Sequence, residues 1–282
     1  MVSQMGACKI AGPTCQTKDG HQDVNDGTLA RTASPSPAVT GSSTPPVAAK
    51  RPPRVVAKGK CSFLNPQAQG TVKAPKEAFD RLRRNSPAAT ISAPRQKASQ
   101  QWPDKSTSPA VELDVQIGSQ KITIIQPTPD RTKGTHLPST QQLAEALRAV
   151  PAEQRAATRT VTLSPTAAPG KSSTGETIAG EAGGGEIILY PVKDAQTQED
   201  FDNRVTHESG HNYAEKVWGG PEGVSAWLAA ATADDRRPSP YAASDGEDFP
   251  EFVILYNTAK GTPCEATAKQ IYPNRWKTME SY

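Results

Sequence analysis

No stretch of this 282-residue chain approaches the roughly 18 consecutive apolar residues of a membrane span, and its first residues lack the apolar core of a secretory signal. The expectation is a soluble chain that neither inserts stably into a membrane nor leaves by the general secretory route. Cysteine is equally scarce: the four, at 8, 15, 61 and 264, form no CxxC pair and no tight spacing. That argues against a cysteine-based zinc knuckle and a disulfide framework, and reduced free thiols are expected. Aromatic residues make up 5% and apolar residues 35% of the chain, against 26 prolines, which is little core material for its length. Part of the chain is therefore expected to be unfolded.

Charge locates that part. Residues 1–110 carry 16 Lys/Arg against 6 Asp/Glu, and residues 111–282 carry 16 against 23, so a small overall net charge conceals a basic segment joined to an acidic one. The basic segment is rich in Pro, Ser and Thr and holds three aromatics, too few to offset its ordering entropy, so residues 1–110 are expected to be a disordered tail. Its charges are spread thinly, without interleaved stacking residues, which argues against a nucleic-acid partner. One amphipathic patch, Lys76 to Arg84, lets Phe79 and Leu82 share a short helix face. Met5-Gly6-Ala7-Cys8 would offer a myristoylation and a palmitoylation site if translation began at Met5, although Ile10 stands where that motif wants Ser or Thr.

With only four histidines in the chain, two of them fall in His207-Glu208-Ser209-Gly210-His211, an HExxH pattern. Positions i and i+4 share a helix face, so both imidazoles can reach one metal ion, while Glu208 projects beside it where it can hold and deprotonate a water.

The surrounding periodicity supplies the helix. Val111 to Ile117 alternates apolar with polar, Gly118-Ser119 turns the chain, and Lys121 to Gln126 returns as the second strand of a hairpin. Ser139 or Thr140 can cap a helix over Leu143, Ala146, Leu147 and Val150, closed by Pro151, with a short strand from Arg159 to Leu163. A Gly/Ser/Ala-rich loop is expected over residues 165–185, then an apolar strand Glu186 to Tyr190. Thr197 with Asp200 makes a weak capping box for a helix from Gln198 to Trp218 that carries the HExxH residues and stops at Gly219-Gly220-Pro221. Two further helices are expected: Glu222 to Asp235, presenting Val224, Trp227 and Leu228, and one beginning near Glu247 and running through Phe252 and Leu255. Strands first and ligand-bearing helices after give an α+β lobe over residues 111–282, zincin-like, with its cleft beside the strand at 186–190.

A catalytic zinc takes three protein ligands and leaves a position to water. A third histidine at the HExxHxxGxxH spacing is excluded, because Ala214 and Val217 stand there and no histidine follows His211. Asp234, Asp235, Asp245, Glu247, Asp248 and Glu251 compete for the third position. Helical geometry favours Glu247, with Glu251 one turn later able to accept the outer N–H of a liganding histidine. Tyr241, six residues before Glu247, can donate to an oxyanion.

Together, HESGH and the segment Tyr241 to Glu251 resemble the gluzincin metallopeptidases, and most closely the anthrax lethal factor-like catalytic domain, in which HExGH is followed by a Tyr and then a Glu-x-Phe-Ala-Glu segment. The resemblance covers about residues 186–256, and Pro250 departs from it in replacing the small residue. It implies that His207, His211 and Glu247 are zinc ligands, that Glu208 is the general base and that Tyr241 is the transition-state donor. It also implies a zinc-dependent endopeptidase acting as a monomer on a protein substrate. Such domains occur in bacterial toxins and injected effectors, which implies a host protein as substrate; a disordered Ser/Pro-rich N-terminal segment without a secretory signal is compatible with a type III-like route, and the alternative expectation is a cytoplasmic protein. The rival expectation is a catalytically inactive scaffold of the same fold that binds partners through its basic tail. Glu208 argues against it, since a site kept only to hold metal has no need of the base.

Overall fold

The hairpin expected from the alternation at 111–126 is the centre of a mixed sheet. In the computed structural model, which describes residues 54–68, 70–128, 136–170, 178–243 and 246–282, strand β3 (Thr107–Ile117) pairs antiparallel with β4 (Gln120–Pro127) across the turn at Gly118. Gly118 has φ of +60°, which a two-residue hairpin turn of the II′ kind requires at its first central position. On its other side β3 pairs antiparallel with β1 (Ala89–Ile91) along its C-terminal part and with β2 (Arg95–Gln101) along its N-terminal part. Beyond β4 come β5 (Thr160–Leu163) and β7 (Glu186–Leu189), both parallel to it. The edge strand β6 (Gly180–Gly183) runs antiparallel to β7.

The connection from β4 to β5 crosses over through α2 (Thr140–Ala149) and α3 (Ala152–Arg155), as a parallel pairing requires. Ser139 caps α2 in a full capping box with Gln142, so of the two expected caps the serine is used. Strands β6 and β7 form a hairpin over Gly184-Gly185, both with positive φ. A strand here departs from the loop expected over residues 165–185, because Gly-Glu-Ala-Gly carries no apolar alternation to mark β6. Among the described residues six helices follow or flank the sheet: α1 (Lys76–Arg84), α4 (Gln198–Trp218), α5 (Pro221–Ala233), α6 (Asp248–Ala259), and the pair α7 (Glu265–Ile271) and α8 (Pro273–Met279), which periodicity does not indicate. Of the apolar residues expected along α5, Trp227 is buried and Leu228 is exposed. Among the described residues no helix is long and apolar enough to cross a membrane.

Helix α4 sits between two cores. Phe201 and Val205 pack with the sheet and α2, while Tyr213 and Ala214 join a helical core built from α1, α5, α6, α7 and α8. Buried on both sides, α4 must satisfy its polar side chains internally. Asp202 takes the Arg83 guanidinium at 2.7 Å, Asn203 exchanges two hydrogen bonds with the backbone of Ala74, Ser209 accepts from Gln154, and Asn212 accepts from the Gly185 N–H.

Two expectations are corrected here. The segment 55–110 is not tail: residues 55–282 form one unit, and the unit boundary falls after Arg54 rather than at residue 110. Averaged composition hid the few residues that matter. Leu64, Val72, Ala74, Phe79 and Trp102 are all buried, Arg83 is neutralised by Asp202, and Arg95 pairs across the sheet with Glu112 and Asp114. Cys61 and Cys264 are joined as a disulfide across 203 residues, tying the short 3₁₀ turn Gly59–Leu64 to the start of α7, so these two are not free thiols. The expectations placed on residues 1–53, including Cys8, Cys15 and the lipidation motif, lie outside the described residues.

Candidate metal centre

A capping box at Thr197 and Asp200 starts α4, and Gly219 in a left-handed conformation ends it, which leaves the HESGH residues in mid-helix. One face of the helix therefore carries His207, Glu208 and His211. Opposite, α6 begins at Glu247, whose carbonyl accepts the Glu251 N–H at 3.1 Å, so the two glutamates lie one turn apart. Pro250 falls in the first turn of α6, where its missing N–H has no intrahelical partner to lose.

Packing of α6 on α4 brings three of the expected ligands together. Glu247 Oε2 lies 3.0 Å from His207 Nε2 and 3.3 Å from His211 Nε2, and the three donor atoms sit within 4.8 Å of one another, a group able to hold a metal ion. Glu251 is fully buried. Its Oε1 lies 2.9 Å from His207 Nδ1, and its Oε2 accepts from the Val72 N–H at 2.6 Å and the Ser239 hydroxyl at 2.5 Å. The imidazole of His207 is thus held from both ring nitrogens. Burial works to lower its pKa, but the carboxylates of Glu247 and Glu251 outweigh that and raise it to about 10. Burial in turn would raise Glu247, and the two histidines outweigh that, holding it down at about 2.

Glu208 lines a cavity of about 300 Å³ together with His207, Tyr241 and Glu251. Burial pushes its carboxyl up from the usual range, with the His207 and His211 charges opposing. Gly180 on β6 comes so close that a Cβ there would collide with the Glu208 carboxylate. Tyr241 stands in the short 3₁₀ turn Tyr241–Ala243 with its ring 5.8 Å from that of His207, and burial with the nearby Glu247, Glu208 and Glu251 charges pushes its phenol well up.

The competing acids are spoken for. Asp234 accepts from the backbone N–H groups of Asn274 and Arg275, and Asp248 accepts from Trp227 Nε1 at 3.1 Å and from the Arg275 guanidinium. Asp235 lines a separate cavity, and Asp245 lies outside the described residues. Sequence reasoning missed three contributors: Ser239, the Val72 backbone and Gly180. Ser239 stands five residues from Ser244 in a loop with nothing to distinguish it, and its role exists only once the chain is folded. Its hydroxyl donates to Glu251 and accepts from the Ala242 N–H, linking the Tyr241 turn to the carboxylate behind His207. Comparison of the chain with family models, curated proteins and solved structures gave no match.

Proposed function

We propose that this protein is a zinc-dependent endopeptidase of zincin-like architecture. The observation that carries the reading is the spacing of the three donors. A tetrahedral ion with bonds of about 2.0–2.1 Å holds its ligand atoms about 3.3 Å apart, and Glu247 Oε2 lies 3.0 and 3.3 Å from the two imidazole nitrogens. Two histidines and a carboxylate make a donor set suited to catalytic zinc, and the Glu251 contact on His207 Nδ1 is the outer carboxylate that such ligands use to fix their orientation.

Bound there, zinc supplies a Lewis acid that makes a neighbouring water acidic and polarises a carbonyl. The remaining work falls to side chains of this chain. Glu208, its pKa raised by burial, takes the proton of the attacking water and returns it to the leaving amine, a task for which a carboxylate nearer neutrality is better matched. Tyr241, held protonated, donates to the oxygen on which negative charge develops. Strand β6 supports a peptide as substrate: among the described residues it has no partner beyond β7, so an extended chain can add to its free edge beside Glu208. The Cys61–Cys264 disulfide fits a protein that works in an oxidising compartment, which favours a secreted toxin over an effector injected from one reducing cytosol into another.

The test is metal analysis of the full chain beside cleavage of a denatured protein substrate. Wild type should carry one zinc per chain and cleave, and Glu208→Gln should keep the zinc and lose cleavage by at least a factor of about a hundred. Undiminished zinc in His207→Ala, or equal cleavage by Glu208→Gln, would remove the reading.

A further inference from the structure

Arg204 stands three residues before His207 and four before Glu208, so positions 204, 207, 208 and 211 form one stripe along α4. Its half-buried side chain lines the same cavity as Glu208, and so does the exposed Lys73. Among the described residues neither cation makes a hydrogen bond or an ion pair, and the guanidinium lies 5.7 Å from the centre of the Phe201 ring. Of the carboxylates that share the cavity, Glu208 acts on the guanidinium through its field without a hydrogen bond to it, and the other two are engaged elsewhere. Asp200 Oδ2 accepts from the N–H and hydroxyl of Thr197, and both oxygens of Glu251 are taken by His207, Val72 and Ser239. Burial works against the charge of Arg204, and the Glu208 and Asp200 fields offset that only in part.

A half-buried guanidinium with five donors and no acceptor is an unmet demand, which a carboxylate meets best because the two forks match. We infer that Arg204, assisted by Lys73, forms an anion-selective subsite that takes an Asp or Glu side chain of the substrate. Its position sets the distance. Four residues of helix span about 6 Å, and extended peptide advances about 3.3 Å per residue, so the acidic residue lies within about two residues of the cleaved bond. The inference rests on the endopeptidase reading for the word substrate, while the subsite itself is a claim about binding.

The experiment uses the full zinc-loaded chain with internally quenched peptides in which Asp, Ala or Lys is fixed at each position in turn. Wild type should favour Asp at one position by about 10 to 100-fold in kcat/KM. Arg204→Gln should erase that preference, Arg204→Glu should turn it towards Lys, and Lys73→Gln should weaken it by less and in a salt-sensitive way. Cleavage without an acidic preference, or a preference that survives Arg204→Gln, overturns the subsite and leaves the peptidase standing. So does an Arg204→Gln variant whose kcat changes only in its pH profile, since Arg204 would then serve Glu208 alone. If no peptide is cut, the peptidase reading fails, and the subsite is judged on binding of fluorescein-labelled Asp-rich and Lys-rich peptides to the same chain. Tighter binding of the Asp-rich peptide that disappears in Arg204→Gln supports it, and equal binding overturns it.

Discussion

Gly210 of α4 touches Pro250 of α6 backbone to backbone: a Cβ added at Gly210 would lie 2.9 Å from Pro250 Cα and 3.0 Å from its Cβ. This contact brings Glu247 and Glu251 within reach of His207, and it explains why glycine stands between the two histidines. Replacing Gly210 with Ala favours the helix by up to about 1 kcal/mol, but the clash is with backbone that has nowhere to move and costs about 1–3 kcal/mol. The clash wins. Gly210→Ala should lower the melting temperature and weaken zinc retention together, as measured by calorimetry and by competition with a chelator. A variant with unchanged zinc affinity would mean that α6 is not held in place at this contact.

Three acids within one turn and a half of α6 should behave differently. Glu247→Ala removes a donor atom and should abolish stable zinc retention. Glu251→Gln keeps a group able to accept from Val72 and Ser239 but removes the charge behind His207, and should weaken zinc binding by about 10 to 100-fold. Asp248→Ala leaves the donors untouched and takes from the buried Arg275 one of its two carboxylate partners, Asp234 remaining at 3.3 Å, so it should keep zinc and lose about 1.5–3 kcal/mol of stability. Titrating zinc into the three apoproteins, alongside urea unfolding, separates the three outcomes. Retention of zinc by Glu247→Ala would transfer the third position to another residue.

Local signals made much of this legible. The hairpin at Gly118, the capped starts of α2 and α4, and the HESGH stripe all follow from short-range pattern, and they are the parts that carry the site. What was not legible depends on distance in the sequence. Phe79 and Trp102 look isolated in a basic, proline-rich segment, yet each finds a buried place against residues far along the chain or across a strand pair. Strand β6 has only Gly, Glu and Ala to announce it, and its place is set by pairing with β7. Cys61 and Cys264 share no motif, and only the packing of α7 against the 3₁₀ turn brings them together.

That disulfide should contribute measurably. Cross-linking residues 203 apart removes chain entropy from the unfolded state, and for a loop of this size the expected stabilisation is about 3–5 kcal/mol. For a folded unit of this length each kcal/mol moves the melting temperature by about 2–4 °C, so reduction, or Cys61→Ser with Cys264→Ser, should lower it by roughly 6–20 °C. Zinc retention should persist, because Val72 and Ala74, on the Cys61 side of the cross-link, are also held by Glu251 and Asn203. A non-reduced peptide map must show the Cys61–Cys264 link, and an unchanged melting temperature on reduction would deny it any stabilising role.

His207 gives the site a proton to lose. In the metal-free protein its pKa stands near 10, because Glu247 and Glu251 flank its two ring nitrogens, whereas an ordinary histidine of pKa about 6.5 is mostly neutral at pH 7.5. A metal takes only the neutral imidazole, so loading must expel that proton. The sign follows directly: the folded pKa is raised, the protonated form dominates below it, and apparent zinc affinity should fall about tenfold for each pH unit lowered between about pH 9 and 7. Calorimetric titration of zinc at pH 7.5 in buffers of different ionisation enthalpy should report close to one proton released on account of His207, where an unperturbed ligand would release about a tenth. Glu251→Gln removes one of the two flanking charges, so its proton release at pH 7.5 should drop along with its zinc affinity. Full release in that variant would show that Glu247 alone sets the protonation of His207, and that Glu251 acts on the ring only by holding its orientation.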